Sequence, residues 1–305
     1  MLPSAETDLT SLSTARAESL LRQLMMQHPA SRLKMQRILI YVFFGFLTIL
    51  SIIPFWIVFV NSTRTAEQIQ QGMALIPGSS FIDNWNILMD RGFNIFEGYR
   101  NSFTIAGGST ILSMYFSCLT AYGFTVYDFK GKKVLFSIVL LLIMLPPQVN
   151  MIGFYRFMAS VGLLNSYIPL IVPAIASAPT VFFMKQYLET IYHPSIVDSA
   201  RIDGAGEMKI FHRIILPQMM PAIATMSIFS FVQSWNNFLM PLILINDRSK
   251  YTLPMLVQLL TTDTYTTEYG SLYLGVSLSV VPLILAYLFL SKRIIGGVTA
   301  GGVKM

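Results

Sequence analysis

The sequence predicts an all-α, polytopic membrane protein with six transmembrane helices, and three observations predict it. Of 305 residues, 54% are hydrophobic and only 12% charged, against roughly 25% charged in soluble domains. So little charge cannot cover a water-facing surface of this size, and lipid must replace the missing polar shell. Second, the apolar residues gather into long charge-free windows. A bilayer core takes about 20 apolar residues per helix, and each charge at its centre costs on the order of 2.5–3.5 kcal/mol. Third, the windows lack strand-like alternation and exceed the length of a barrel strand.

In order, the windows are Ile38–Val60, Asn101–Tyr127, Val134–Tyr155, Phe157–Met184, Ile214–Asn246 (one span plus its flanks) and Ser271–Ser291. Pro146-Pro147 interrupts the third, Pro169 and Pro173 the fourth, Pro221 the fifth and Pro282 the sixth. Such breaks are tolerated where neighbouring helices or water satisfy the freed backbone groups. Orientation follows from the basic residues, which gather in cytoplasmic loops. With both termini inside, the cytoplasmic side holds fifteen of the 21 Lys and Arg. Arg16, Arg22, Arg32, Lys34 and Arg37 precede the first span. Lys130, Lys132 and Lys133 follow the second, and Lys185, Arg201, Lys209 and Arg213 follow the fourth. Lys292, Arg293 and Lys304 close the chain. Six remain outside: Arg64, Arg91, Arg100, Arg156, Arg248 and Lys250. The expected organisation is a cytoplasmic extension over 1–37, a transmembrane domain over 38–295 and a cytoplasmic tail over 296–305. Residues 1–37 are mixed in charge and hold no cleavable apolar core, so a signal peptide is not expected.

The remaining composition narrows the chemistry. A net charge of +6 fits an anionic surface or nucleic acid, but the placement of the charges beside apolar spans favours a bilayer and no nucleic-acid partner. The lone Cys118 lies inside a span, so no internal disulfide can form. No phosphate-binding loop exists: Gly131-Lys132-Lys133 lacks both the upstream glycine and the hydroxyl that such a loop needs. Energy must then come from another chain. His28, His193 and His212 are isolated, and no metal site is expected.

The longest cytoplasmic loop carries the most information. Over 195–217 it reads as two short helices joined at a bend. Pro194 opens the first, Asp203-Gly204 is a turn or C-cap signal, and Pro217 ends the second. Ile196, Val197, Ala200, Met208, Ile210 and Phe211 give this knob an apolar face that needs cover. The bundle, the lipid surface or a partner could each supply it. The segment Asp198-Ser199-Ala200, three residues, Gly204, nine residues, Ile214-x-Leu216-Pro217 resembles a loop of the binding-protein-dependent ABC importer permeases. Their pattern begins Glu-Ala-Ala, so Asp198 and Ser199 depart from it. The resemblance implies that Asp198, Ser199, Ala200, Asp203, Gly204, Ile214, Leu216 and Pro217 form a coupling helix that docks in a cleft of an ATPase subunit. ATP and Mg2+ would bind that subunit, leaving this chain without cofactor or catalytic residue.

Other matches point to the carbohydrate branch. Asn101-Ser102, Arg201-Ile202-Asp203-Gly204-Ala205 and Trp235-Asn236-Asn237 look like members of it. The last ten residues, with four glycines, are similar to the C-termini of the smaller permease subunits of maltose-type transporters. That likeness assigns Gly301, Gly302, Val303 and Lys304 to contact with the ATPases, and the glycine content fits a slim, bendable strand; an unstructured end fits the same composition. The resemblance further implies a second permease subunit as heterodimer partner, two ATPase subunits, an extracytoplasmic solute-binding protein, a sugar such as an oligosaccharide as cargo, and a bacterial inner membrane.

Two candidate sites remain open between readings. Ser227, Ser230, Ser234 and Asn237 recur at helical spacing in span five, flanked by Gln233 and Asn236. Hydroxyls and amides suit a neutral polyhydroxyl solute, since they donate and accept without a charge to desolvate. They suit interhelical hydrogen bonds equally well. The outer loop 247–270 offers Tyr265 and Tyr269 to the binding protein or to the membrane surface. A self-sufficient secondary transporter is disfavoured because the spans lack a coupling carboxylate or cation. A permease for glycerol phosphate is disfavoured because they lack a basic residue.

Overall fold

The computed structural model describes residues 35–261 and 268–302, with side chains through residue 288 other than those of 147 and 286. Helices dominate, and no strand occurs among the described residues. The chain divides into two compact units, Met1–Val58 and Phe59–Met305. The first unit supplies most of α1 (Met35–Asn61), a 27-residue helix apolar enough to cross a bilayer.

The second unit is a bundle. It begins with α2 (Ala66–Gln70), capped by Thr65 and Gln68 in a reciprocal capping box, and α3 (Phe81–Asp90). The central element is α4 (Ile95–Val126), 32 residues long, whose first turn is capped by the Asn94 side chain. After a left-handed Gly131 come α5 (Lys132–Met144) and α6 (Met151–Ser160). Next come α7 (Ile168–Ile171) and α8 (Ala178–Ile191), joined by a tight turn of 3-10 helix. The following loop holds α9 (Pro194–Ile202), α10 (Glu207–Ile210) and α11 (Leu216–Gln218), and leads into α12 (Met220–Trp235). Three more helices complete the chain: α13 (Leu239–Leu244), α14 (Leu253–Thr261) and α15 (Tyr269–Gly302). α4 packs against α8 on one side and α12 on the other, and α12 packs against α15.

Among the described residues, three helices are long and apolar enough to span a membrane: α1, α4 and the run Ile168–Ile191. Two bent pairs bring the number to five if each counts once, and the apolar stretch Tyr269–Leu285 adds a shorter helix. The windows for spans three and four need correcting. Val134–Tyr155 is not one straight helix: α5 stops at Met144, and α6 leaves it at 88°. Pro146 and Pro147 cause the break, because neither offers an N–H to continue the ladder. Phe157–Met184 likewise begins too early, since α6 ends at Ser160 and the next helix starts at Ile168. Absence of charge runs straight through these breaks and so could not show them.

The two ends of α4 are fastened differently. At the Ile95 end, Leu88, Phe93, Trp235, Leu253, Leu256 and Leu274 form one core cluster. Two buried asparagines staple the loops around it. Asn84 Nδ2 donates to the carbonyls of Ser62 (2.9 Å) and Arg64 (3.0 Å). Asn101 Nδ2 donates to those of Ser249 (2.8 Å) and Tyr251 (2.9 Å). At the Val126 end, Cys118 and Tyr122 join Met184, Leu188, Val197, Ile210, Phe211 and Ile215 in a second cluster, which holds the 194–218 loop against the bundle.

Candidate functional site

The loop takes its shape from four local signals. Pro194 occupies the first turn of α9, where a missing N–H costs nothing. Asp203 caps the far end, and Gly204 follows at φ +77°, the left-handed position that ends helices. The Ala205 N–H returns to the Ala200 carbonyl at 2.9 Å and closes the turn. From Phe211 to Ile215 the backbone loosens into a π-helical turn. Beyond Pro217 the chain turns by 77° into α12.

Burial divides the loop's apolar residues into two sets. Val197, Ile210 and Phe211 are fully buried against α4 and α8. Ile202 is 87% exposed at the tip, and Ile196 and Met208 are exposed as well. The bundle therefore covers one face, while the tip carries uncovered apolar surface beside Gly204. A Cβ added at Gly204 would meet nothing within 4 Å, so any cost of a side chain there lies in the backbone alone.

A carboxylate fixes this tip to the bundle. Glu207, at the start of α10, accepts from Arg201 Nε at 2.7 Å through Oε1. Through Oε2 it accepts from the hydroxyls of Tyr122 (2.6 Å) and Tyr127. Arg201 also reaches Asp198 at 3.3 Å. Arg201 foremost, then the two tyrosines, hold the Glu207 carboxyl down to about 2. The same pairing raises the Arg201 guanidinium above its ordinary value. Sequence reading missed Glu207 because its two tyrosine partners lie 80 and 85 residues upstream, and no spacing rule links them.

The other predicted residues are placed as follows. Asp198, Ser199 and Ala200 lie on α9. Asp203 and Gly204 form its end. Ile214 lies in the π-helical turn, and Leu216 and Pro217 lie in α11. On α12, the Ser234 hydroxyl accepts from Ser109 of α4 at 2.9 Å, which is the interhelical-packing role. Ser227 and Ser230 are half-buried. Asn237 falls past the end of α12 and accepts from the Met240 N–H, so the proposed stripe is shorter than its spacing implied. The exposed face instead carries Phe229 (64% exposed), Gln233 and Asn236. Trp235 is buried and donates to the Ser279 carbonyl at 3.2 Å. Tyr269 opens α15 half-buried, and Tyr265 lies outside the described residues. The tail glycines Gly296, Gly297, Gly301 and Gly302 continue α15 as helix. As far as residue 302 the segment is thus helical rather than the slim, bendable strand or unstructured end that its composition fits, despite the entropy that glycine costs. Val303 and Lys304 lie outside the described residues. No group of metal-ligating side chains occurs among the described residues.

A helical bundle of apolar spans with a folded loop at one end defines the class of integral membrane proteins. Residues 113–298 match the family described as binding-protein-dependent transport system inner membrane component. The chain belongs to that family. It is similar to the arabinooligosaccharides transport system permease protein AraQ of Bacillus subtilis (strain 168), with 35% identity over 92% of this chain and 100% of that one. It is also similar to the lactose transport system permease protein LacG of Rhizobium radiobacter, with 31% identity over 84% of this chain and 92% of that one. Its fold is shared with a chain of a bacterial ABC transporter involved in the import of the acidic polysaccharide alginate. The TM-score is 0.74 at 19% identity, covering 85% of this chain and 96% of that one.

Proposed function

We propose that this chain is one permease subunit of an ATP-driven importer for an oligosaccharide. It works by alternating access with a second permease subunit beside it. In this reading the chain crosses six times with both termini cytoplasmic, the two bent pairs each serving as one span and Tyr269–Leu285 as the core of the last. The 194–218 loop is then the coupling helix, and its partner is an ATPase subunit that binds ATP and Mg2+. Tyr265 and Tyr269, on the outer side, face the solute-binding protein. The sugar reading is supported by the arabinooligosaccharide and lactose permeases among the relatives and by the exposed neutral amides of Gln233 on α12 and Asn236 at its C-cap.

The observation that carries the coupling assignment is Ile202. A side chain 87% exposed at the tip of a loop whose other face is sealed has no folding role and needs a partner cleft. Ile202→Asp, expressed together with the other transporter subunits, is expected to insert normally but to lose the co-purifying ATPase and sugar uptake. Wild-type uptake together with an undiminished ATPase would overturn it.

A further inference from the structure

A second candidate site lies where the turn after α4 meets α5 and α8. A cavity of about 470 Å3 opens between the 127–131 turn, the first turns of α5, and α8. Its volume lies within the range of small-ligand sites. Asp128, Phe129, Lys132, Lys133, Phe136 and Lys185 line it.

The lining is amphiphilic. Phe129, Val134 and Phe136 give it apolar surface, and Lys132, Lys133 and Lys185 give it ammonium groups. Lys185 is only 8% exposed. Its Nζ sits 4.3 Å from the centre of the Phe136 ring and 2.7 Å from Glu189 Oε1. Lys132 Nζ donates to the Tyr127 carbonyl at 2.8 Å, which holds its stem along the cavity. Lys133 is exposed and has no carboxylate within ion-pair distance among the described residues. Asp128 and Glu189 oppose these three lysines, leaving one cation in excess. The N-terminus of α5, 13 residues long, adds its positive dipole end.

We propose that this cavity binds the headgroup phosphate of an anionic phospholipid in the cytoplasmic leaflet. Its first acyl segments would run over the exposed apolar face of α5, where Val134, Leu135, Ile138 and Leu141 are uncovered. Lysines set among aromatic and aliphatic side chains fit an amphiphile better than a free anion, and basic pockets between spans take such headgroups. The assignment rests on the proposed topology only for the leaflet. Chemistry and location rest on the cavity itself.

The test uses the full-length protein, purified with its associated subunits in neutral detergent. Native mass spectrometry follows titration with phosphatidylglycerol, phosphatidylcholine or inorganic phosphate. Phosphatidylglycerol should bind in preference to phosphatidylcholine, and inorganic phosphate should not displace it at equal concentration. Each lysine near an anionic headgroup contributes about fivefold in affinity, so Lys132→Gln with Lys133→Gln should weaken binding about tenfold to thirtyfold. Asp128→Asn removes an opposing charge and should strengthen it. Opposite signs from two surface changes cannot arise from misfolding. Equal binding of the two lipids, displacement by inorganic phosphate, or unchanged affinity in the variants would overturn the proposal.

Discussion

Replacing Glu207 tests whether a single carboxylate holds the loop to the bundle. Three donors converge on it: Arg201 Nε at 2.7 Å, Tyr122 Oη at 2.6 Å and Tyr127 Oη. Hydrogen bonds to a charged group contribute about 1.5–3 kcal/mol each when buried. The Glu207 and Arg201 side chains are 41% and 35% exposed, so solvent screening lowers that pair to about 1 kcal/mol or less. Tyr122 differs, being 3% exposed. Without an acceptor, its hydroxyl would be left buried and unsatisfied at a cost of about 1–3 kcal/mol. Glu207→Ala should therefore cost about 2–3 kcal/mol. Glu207→Gln, which keeps one acceptor oxygen but presents an amide donor to the third partner, should cost about 1–2 kcal/mol. At roughly 2–4 °C per kcal/mol for a unit of this size, the alanine variant should melt about 4–12 °C lower. The protein carries its own reporter, because the lone Cys118 is 0% exposed and lies one turn from Tyr122. A maleimide dye that fluoresces on reaction would follow its release during a thermal ramp. The carboxyl is held down to about 2, so its contribution is complete above the ordinary carboxylate range and fades as pH falls toward the folded value. The gap between wild type and Glu207→Gln should stay constant from pH 8 to 5 and narrow below about 4.5. Equal melting of wild type and both variants, or a gap indifferent to acid, would refute the carboxylate's role.

Three further outcomes are expected. Gly270→Ala should destabilise by about 1–3 kcal/mol, because its Cβ would press on the Asn84 amide and the Arg64 carbonyl; an unchanged denaturation midpoint would show that this end of α15 can shift. In a Cys118→Ser background, cysteines at Phe229, Gln233 and Asn236 should react with small water-soluble thiol reagents and change their rate when ATP and binding protein are added. A cysteine at Ser234 should react slowly in every state, and equal labelling of all four would dismiss a solute-lining face on α12. Deleting Val298–Met305 should leave assembly intact while lowering ATP hydrolysis stimulated by the binding protein; full stimulation would reduce the segment to a dispensable end.

The legibility of this chain in its sequence follows the range of the interactions. Apolar windows report on lipid, a uniform solvent, and so α1, α4 and the core of α15 are readable from composition alone. Loop signals act within a few residues, which is why Pro194 and the Asp203-Gly204 end of α9 lie where the pattern puts them; Pro217 does not itself end its helix, which runs on through Gln218 before the bend. The break at Pro146-Pro147 was visible as two missing donors, but its 88° consequence depends on what packs beside it. Long-range pairings were hidden. Ser234 looks like a cavity residue until Ser109, 125 positions earlier, is found 2.9 Å away. Asn101-Ser102 looks like a family signature until Asn101 is seen to hold the Ser249 and Tyr251 backbone and Ser102 to accept from the Leu253 N–H at 2.9 Å. Glu207 has Arg201 six residues away, but its two tyrosines leave no trace in the local sequence.

The two asparagine staples have a consequence for how this end of the protein can vary. Asn84 and Asn101 grip carbonyl oxygens, and every amino acid supplies one. The gripped positions Ser62, Arg64, Ser249 and Tyr251 can therefore exchange side chains while the attachment persists. The Glu207 knot has no such latitude, since it needs a carboxylate, a guanidinium and two phenols in one place. One end of the molecule is thus held in a way that leaves its side chains free to change, while the other is bound to a fixed set of chemical groups.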